Sequence, residues 1–185
     1  MLQVEEIEGS NAKNFHFVEE LRVKAFKEDF GIEDNTSQDK FDKDCTHLLL
    51  WETSDSGKVP VACFRVLFDT EHAKMLFGTL PEFHSSKCGE FSRICMPQKS
   101  IPDKARRRYG LFLLYHRGVE VAVRKNLDSV IGITHEAVLK AIRSFGLVPF
   151  AWSEEKIHFD NFSLGLYVYD VKEGYKRMIQ FQSKL

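Results

Sequence analysis

The chain lacks any excess of charge: 26 Lys and Arg stand against 27 Asp and Glu, a formal balance of -1. So close a balance excludes the broad electrostatic attraction by which basic proteins hold nucleic acid, and cations interleaved with exposed aromatics are missing too. Long apolar runs are also absent. No window approaches the roughly 18 residues of a membrane-spanning helix, so no membrane span is expected. The first residues, Met1-Leu2-Gln3-Val4-Glu5-Glu6-Ile7-Glu8, have neither a basic n-region nor an apolar h-region, so no secretory signal is expected there. The four cysteines (Cys45, Cys63, Cys88, Cys95) show no C-x-x-C spacing and sit beside apolar neighbours. That fits reduced thiols in a cytoplasmic protein better than a disulfide framework or a zinc site. His47, His72 and His158 show no metal-ligand spacing either, and no metal is expected. Cys95 with a distant histidine would make a nucleophile only on paper, because no local signature surrounds it.

What is present is a globular composition, 43% hydrophobic and 29% charged, with no repeat, low-complexity tract or linker. One domain over 1–185 is expected, long enough to bury roughly 70% of its unfolded surface. A short strand is expected at Leu2 to Ile7. Helix-period apolar positions (Phe15, Val18, Leu21, Ala25) then run to Asp29, where Gly31 interrupts. Glu33 to Asp44 reads as an acidic loop. Strands at His47 to Glu52 and Val59 to Phe68 are joined by the hairpin-type segment Thr53 to Lys58. A helix at Glu71 to Gly78 precedes a strand at Glu90 to Met96. A second long helix opens at Gly110, with Leu111, Leu114, Val121 and Ala122 as its apolar positions. Leu127 to Thr134 reads as a strand, and Thr134 as the cap of a helix ending before Gly146. Late strands at Val148 to Trp152 and Leu164 to Val171 and a terminal helix from Glu173 complete the order. A helix, an antiparallel meander, then alternating strand and helix give α/β or α+β with one mixed central sheet.

Chemistry concentrates in charges set into apolar strands. Glu90-Phe91-Ser92-Arg93 places a carboxylate and a guanidinium in one strand, and Arg65 interrupts Val61 to Leu67. Desolvating such groups costs several kcal/mol unless partners compensate, so they serve either chemistry or a structural ion pair. Arg22 and Phe26 share one helix face, and Asp39-Lys40-Phe41-Asp42 holds two carboxylates around an aromatic. Together these suit recognition of a zwitterion: arginines for its carboxylate, aspartates for its ammonium. Glu90 has two readings, a base for an amine that must lose a proton, or a salt-bridge partner of Arg93 or Arg22. Lys104, Arg106, Arg107 and Arg108 precede Gly110, so cations and helix N-terminal amides would converge on a phosphate, pyrophosphate or acidic protein. Arg107-Arg108-Tyr109-Gly110-Leu111-Phe112 is a degenerate R-x-x-G-x-G/A loop without its second glycine.

In order, these residues resemble the acyl-homoserine lactone synthases, the autoinducer synthases of bacterial quorum sensing. Arg22-x-x-x-Phe26 is similar to that family's R-x-x-x-F, Asp39-Lys-Phe-Asp42 to its D-x-x-D, Arg65 to its arginine after the hairpin, and Glu90-x-Ser92-Arg93 to its E-x-S-R. The resemblance runs from about Leu21 to Met96 and more weakly through Thr134. It implies a GNAT-like, three-layer fold: a mixed, splayed central sheet flanked by helices. It also implies an N-acyltransferase with no bound cofactor. The donor would be a phosphopantetheine thioester on acyl carrier protein, docked through Lys104, Arg106, Arg107 and Arg108, and the amine acceptor S-adenosylmethionine, lactonised with loss of methylthioadenosine. On that pattern Glu90, Ser92 and Arg93 are the catalytic candidates. Arg22, Phe26, Ile32, Asp39, Asp42 and Arg65 shape the acceptor site, and Thr134 lies near the position that influences acyl-chain choice. One departure stands out. The family reads F-x-x-x-L-G-W, whereas Phe26 is followed here by Phe30-Gly31-Ile32. The missing aromatic face is worth on the order of 1 kcal/mol against a sulfonium or adenine. Related N-acyl amino acid synthases and exosortase-linked acyltransferases share the donor side without that acceptor. A non-catalytic GNAT-like domain that binds an acyl ligand is the alternative from another class.

Overall fold

The computed structural model describes residues 1–31, 38–78, 80, 87–158 and 163–184. Seven strands form one sheet in the order β1-β2-β3-β4-β5-β7-β6. They are β1 (Leu2–Glu8), β2 (Cys45–Ser54), β3 (Gly57–Leu67), β4 (Cys88–Cys95), β5 (Ser129–His135), β6 (Ala151–His158) and β7 (Ser163–Asp170). The helices are α1 (Phe15–Phe30), α2 (Glu71–Phe77), α3 (Lys104–Arg124), α4 (Glu136–Ser144) and α5 (Val171–Gln182).

Alternation along the strands divides the core into two faces. Leu48, Leu50, Phe64, Val66, Phe91 and Val130 meet the buried sides of α3, α4 and α5. Leu49, Trp51, Cys63 and Cys95 point the other way, onto Phe15, Val18, Leu21 and Ala25 of α1. Farther along that second face, Ile131, Ile133, Leu166 and Val168 receive Ala73 and Phe77 of α2. The expected three layers with a mixed sheet are therefore what the chain forms.

Every strand pairing is antiparallel except β4 with β5. That parallel pairing runs only from Cys88↔Ser129 to Phe91↔Gly132. Beyond it β4 follows β3 as far as Cys63↔Cys95, while β5 follows β7 as far as His135↔Leu164. The sheet opens between them. A register shift between Cys63 and Arg65 and a left-handed Arg93 (φ 54°) mark a β-bulge in β4, which bends that strand and gives the opening a local cause.

Several boundaries differ from expectation. Helix α3 begins at Lys104, not Gly110, because the Asp103 carboxylate accepts the Arg106 amide at 2.7 Å and Lys, Ala and Arg are good helix formers. The Arg107 to Phe112 segment is thus helix interior, its amides committed to the helix, and the pyrophosphate-loop reading fails. Thr134 is not the cap of α4. It stays in β5, and the ring Nδ1 of His135 accepts the Ala137 amide at 3.1 Å. Strand β6 runs from Ala151 to His158, later than the expected Val148 to Trp152. Its mostly exposed edge position gives it little apolar alternation to read. Gly31 (φ 67°) closes α1 as expected, donating its amide to Phe26 O.

Candidate active site

The charged residues of the α1 face converge beside the opening between β4 and β5. Arg22 is carried by α1, Arg65 by β3, and Glu90, Ser92 and Arg93 by β4. Asp39 and Asp42 come from a segment that orders itself: Asp39 Oδ1 accepts the Phe41 amide at 3.0 Å, and Asp42 Oδ2 accepts the Asp39 amide at 2.9 Å. A single 3₁₀ turn, Asp42–Asp44, follows.

Asp42 is the hub. Arg22 grips it with two nitrogens, Nη1 to Oδ2 at 2.8 Å and Nη2 to Oδ1 at 3.1 Å. Arg65 Nη1 reaches Asp42 Oδ1 at 3.0 Å and both Asp39 oxygens at 2.7 and 2.8 Å, and Arg65 Nε donates to Ser92 Oγ at 3.2 Å. Arg93, aimed by the bulge, donates to Asp39 Oδ2 at 3.0 Å and lies 5.5 Å over the Phe26 ring, a cation–π contact. With Glu90 included, the set holds Arg22, Arg65 and Arg93 against Asp39, Asp42 and Glu90. Its charges cancel, which is how a buried cluster of this size avoids a prohibitive desolvation cost.

The cluster sets the protonation of its members. Burial works against the Asp42 charge, but the hydrogen bonds and charge of Arg22, with Arg65 beside it, hold the carboxyl well below its ordinary range. Asp39 is lowered too, burial being outweighed by Arg65. Burial, reinforced by the charge of Arg22, lowers His47 to about 4. The neutral ring therefore donates from Nε2 to Asp42 O (3.0 Å) and accepts at Nδ1 from Arg22 Nη2 (3.3 Å). Cys45 Sγ lies 3.2 Å from His47 Nε2, but burial pushes this thiol up to about 12, so the pair is no activated nucleophile. Asp42, Cys45 and His47 bring ligand-type atoms within 4.8 Å of one another. With both Asp42 oxygens held by arginines, the thiol protonated and two cations adjacent, that trio does not fit a metal ion.

Glu90 pairs with neither arginine suggested by the sequence. It is fully buried, and its Oε1 meets His72 Nδ1 of α2 at 2.5 Å, with Arg65 Nη2 next at 4.0 Å. Among the described residues, Glu90 Oε2 and Arg65 Nη2 have no hydrogen-bond partner. The structure thus brings together Arg22, Phe26, Asp39, Asp42, Arg65, Glu90, Ser92 and Arg93. Ile32 lies outside the described residues. Thr134 is separate: it is buried beside Tyr115 of α3, on the opposite face of the sheet. The basic run is separate as well, and its members diverge. Arg106 pairs with Glu52 at 2.6 Å, Arg107 donates to the carbonyls of Ile101 and Gln98, and Arg108 donates to Ser144 Oγ. In the sequence His72 and His47 were weighed only as metal ligands, and neither was tied to this cluster. The one available signal was Glu90 itself, since a carboxylate set deep in an apolar strand requires a donor from elsewhere.

A three-layer sandwich whose mixed sheet parts between parallel strands, with a buried carboxylate beside the parting, defines an acyltransferase scaffold. The chain belongs to the acetyltransferase (GNAT) domain family, whose model matches residues 21–115, more than half of its length, and it is an acyltransferase. Among solved structures it is similar to the acyl-homoserine lactone synthase LasI (TM-score 0.71, 15% identity, covering 97% of this chain and 95% of that one). It is also similar to BjaI, a CoA-dependent acyl-homoserine lactone synthase solved with SAM and isopentyl-CoA (TM-score 0.70, 16% identity, covering 100% and 89%). An acyl-CoA N-acyltransferase from Pseudomonas aeruginosa is a third (TM-score 0.62, 16% identity, covering 91% and 99%). At these identities the likeness is one of fold. Comparison with curated proteins found no match.

Proposed function

We propose that the protein, as one domain over 1–185 acting in the cytoplasm, is an N-acyltransferase that moves a fatty acyl group from acyl carrier protein to a small amine. Acyl-homoserine lactone synthesis from S-adenosylmethionine is the leading specific form. The observation that carries the reading is the charge-balanced cluster at the opening of β4 from β5, with one oxygen of a fully buried glutamate unpartnered among the described residues. In the reaction the amine nitrogen attacks the thioester carbonyl in that opening, strand amides stabilise the oxyanion, and Glu90 takes the proton. The C–N bond forms, the C–S bond breaks, and the carrier leaves as a thiol. With S-adenosylmethionine as acceptor, lactonisation then expels methylthioadenosine. Asp39 and Arg93, the partly exposed end of the cluster, face the acceptor's ammonium and carboxylate. Arg22, Asp42, Arg65 and Ser92 hold that end in place, and Phe26 supports Arg93. Thr134, beside Tyr115, acts on the acyl chain across the sheet. Lys104, Arg106 and Arg108, exposed on the first turns of α3, offer an acidic carrier its docking charge, while Arg107 braces the segment before the helix.

Two observations keep a second donor and a second acceptor in play. BjaI, of similar fold, was solved with isopentyl-CoA, which favours a trial of CoA thioesters. Ile32 where the resembling family has tryptophan favours a long-chain N-acyl amino acid synthase or exosortase-associated acyltransferase. Purified protein given acyl-carrier or acyl-CoA thioesters with S-adenosylmethionine or amino acids separates these. Thiol release with methylthioadenosine supports lactone synthesis, and acylated amino acid without it supports the second acceptor. No transfer from any thioester overturns the enzyme reading in favour of an acyl-ligand-binding domain.

A further inference from the structure

The two oxygens of Glu90 are treated differently. Oε1 is held by His72 Nδ1 at 2.5 Å, whereas Oε2 has no hydrogen-bond partner among the described residues. His72 is itself fixed. It is the second residue of α2, 4% exposed, its ring edge-on to Phe41 at 5.3 Å, and the next residue, Ala73, anchors α2 in the core against β5 and β7. Among the described residues, Arg65 of β3 brings the nearest guanidinium, its Nη2 4.0 Å from Oε1. Asp39 and Asp42 are turned to arginines, so His72 alone among the described residues fixes the rotation of the Glu90 carboxylate by a hydrogen bond.

We infer that His72 is a positioning residue for acyl transfer: its Nδ1–H donates to Glu90 Oε1 and keeps Oε2 presented to the attacking amine. The inference rests on Glu90 being the proton acceptor proposed above. As the N–C bond forms, an amine N–H bond breaks and its proton passes to Oε2. The electron pair of the C–S bond leaves with sulfur, which becomes the thiol once protonated. His72 keeps its own proton throughout, and no oxidant or reductant is needed. A carboxylate free to rotate would lose part of the orientation on which such a step depends, and a misplacement of about 1 Å can cost on the order of 100-fold in rate.

The test compares His72→Phe, which keeps a ring against Phe41 and removes the donor, with His72→Asn, which places an amide N–H near the Nδ1 position. His72→Phe is expected to lower kcat roughly 10- to 100-fold with KM for donor and acceptor unchanged, and His72→Asn to recover most of that loss. Independently of turnover, proton NMR of the wild type should show a far-downfield imidazole N–H resonance that moves upfield in Glu90→Gln. A folded His72→Phe with wild-type kcat, a change in KM in place of kcat, or a resonance unmoved by Glu90→Gln overturns the inference. A wild type that transfers no acyl group overturns the proposed function and His72's part in it, and the resonance then still reports whether the pair exists.

Discussion

The two faces of β3 and β4 are built from alternate residues of the same strands, yet they do opposite things. Toward α3, Phe64, Phe91 and Tyr115 pack edge-on or tilted at centroid distances of 4.8 to 6.1 Å in a buried aromatic layer. The Phe64 ring lies so close to Gly118 that a Cβ there would come within 2.7 Å of it. Toward α1 and α2, Arg65, Glu90 and Ser92 are as deeply buried but charged or polar, and the ionic groups are balanced by partners from α1, α2 and the Asp39 to Asp42 segment. The aromatic face derives its stability from area removed from water. The charged face gains little net stability, because desolvation offsets most of the attraction, so its presence points to chemistry.

That contrast can be broken most forcefully at its hub. Asp42→Ala leaves Arg22 without its bidentate partner in a buried site and should destabilise the fold by about 3–5 kcal/mol in urea unfolding. The double variant Arg22→Met with Asp42→Leu should lose clearly less stability than Asp42→Ala alone, because no unpaired charge remains. If the double variant is the more damaged, the charged face is a stability element after all. On the aromatic face, Phe64→Ala should cost about 3–4 kcal/mol through lost contact and a cavity beside Gly118, and no apolar partner change should restore it.

Acid sensitivity sharpens the comparison next. His47 is lowered to about 4, so the unfolded chain, with histidine near 6.5, binds its proton first as pH falls. The stability that the neutral ring contributes is complete above about pH 6.5 and declines as pH falls toward 4, by on the order of 3 kcal/mol. Asp39 and Asp42, both lowered, add a loss that begins as pH falls into the ordinary carboxylate range, where the unfolded chain takes up protons first, and continues below it. Unfolding measured from pH 7 to 4 should therefore show a slope that His47→Gln flattens, while Phe64→Ala shifts the curve without changing its slope. The smallest effect belongs to the exposed basic first turns of α3. Arg108→Ala should alter stability by no more than about 0.5 kcal/mol, and any weakening of carrier-protein binding should fade at high salt.

The charged face was more legible in the sequence than its wiring. Arg22, Asp39, Asp42, Arg65, Glu90 and Arg93 announce themselves because ionised groups in apolar strands need partners, and spacing places them near one another. Which of them pair depends on the bulge at Arg93 and on the approach of α2, and both are tertiary. Glu90 therefore found His72, a residue with no motif around it. The hairpin of β2 and β3 was readable from alternation and turn residues. The start of α3 was not: its first turns are polar and give no apolar period, so only the cap at Asp103 marks it. The face Thr134 takes was not legible either, because side-chain period in a strand is two and the face is fixed by how β5 packs against α3.

The most direct test of the claim that the charged face serves acyl transfer is product analysis by mass spectrometry. Wild type and Glu90→Gln would be given acyl-carrier and acyl-CoA thioesters together with S-adenosylmethionine and amino acids. The wild type should yield an acylated amine and free thiol, and Glu90→Gln, folded to the same degree, should form that product roughly 100- to 10,000-fold more slowly. A folded Glu90→Gln protein that works at the wild-type rate would contradict the account.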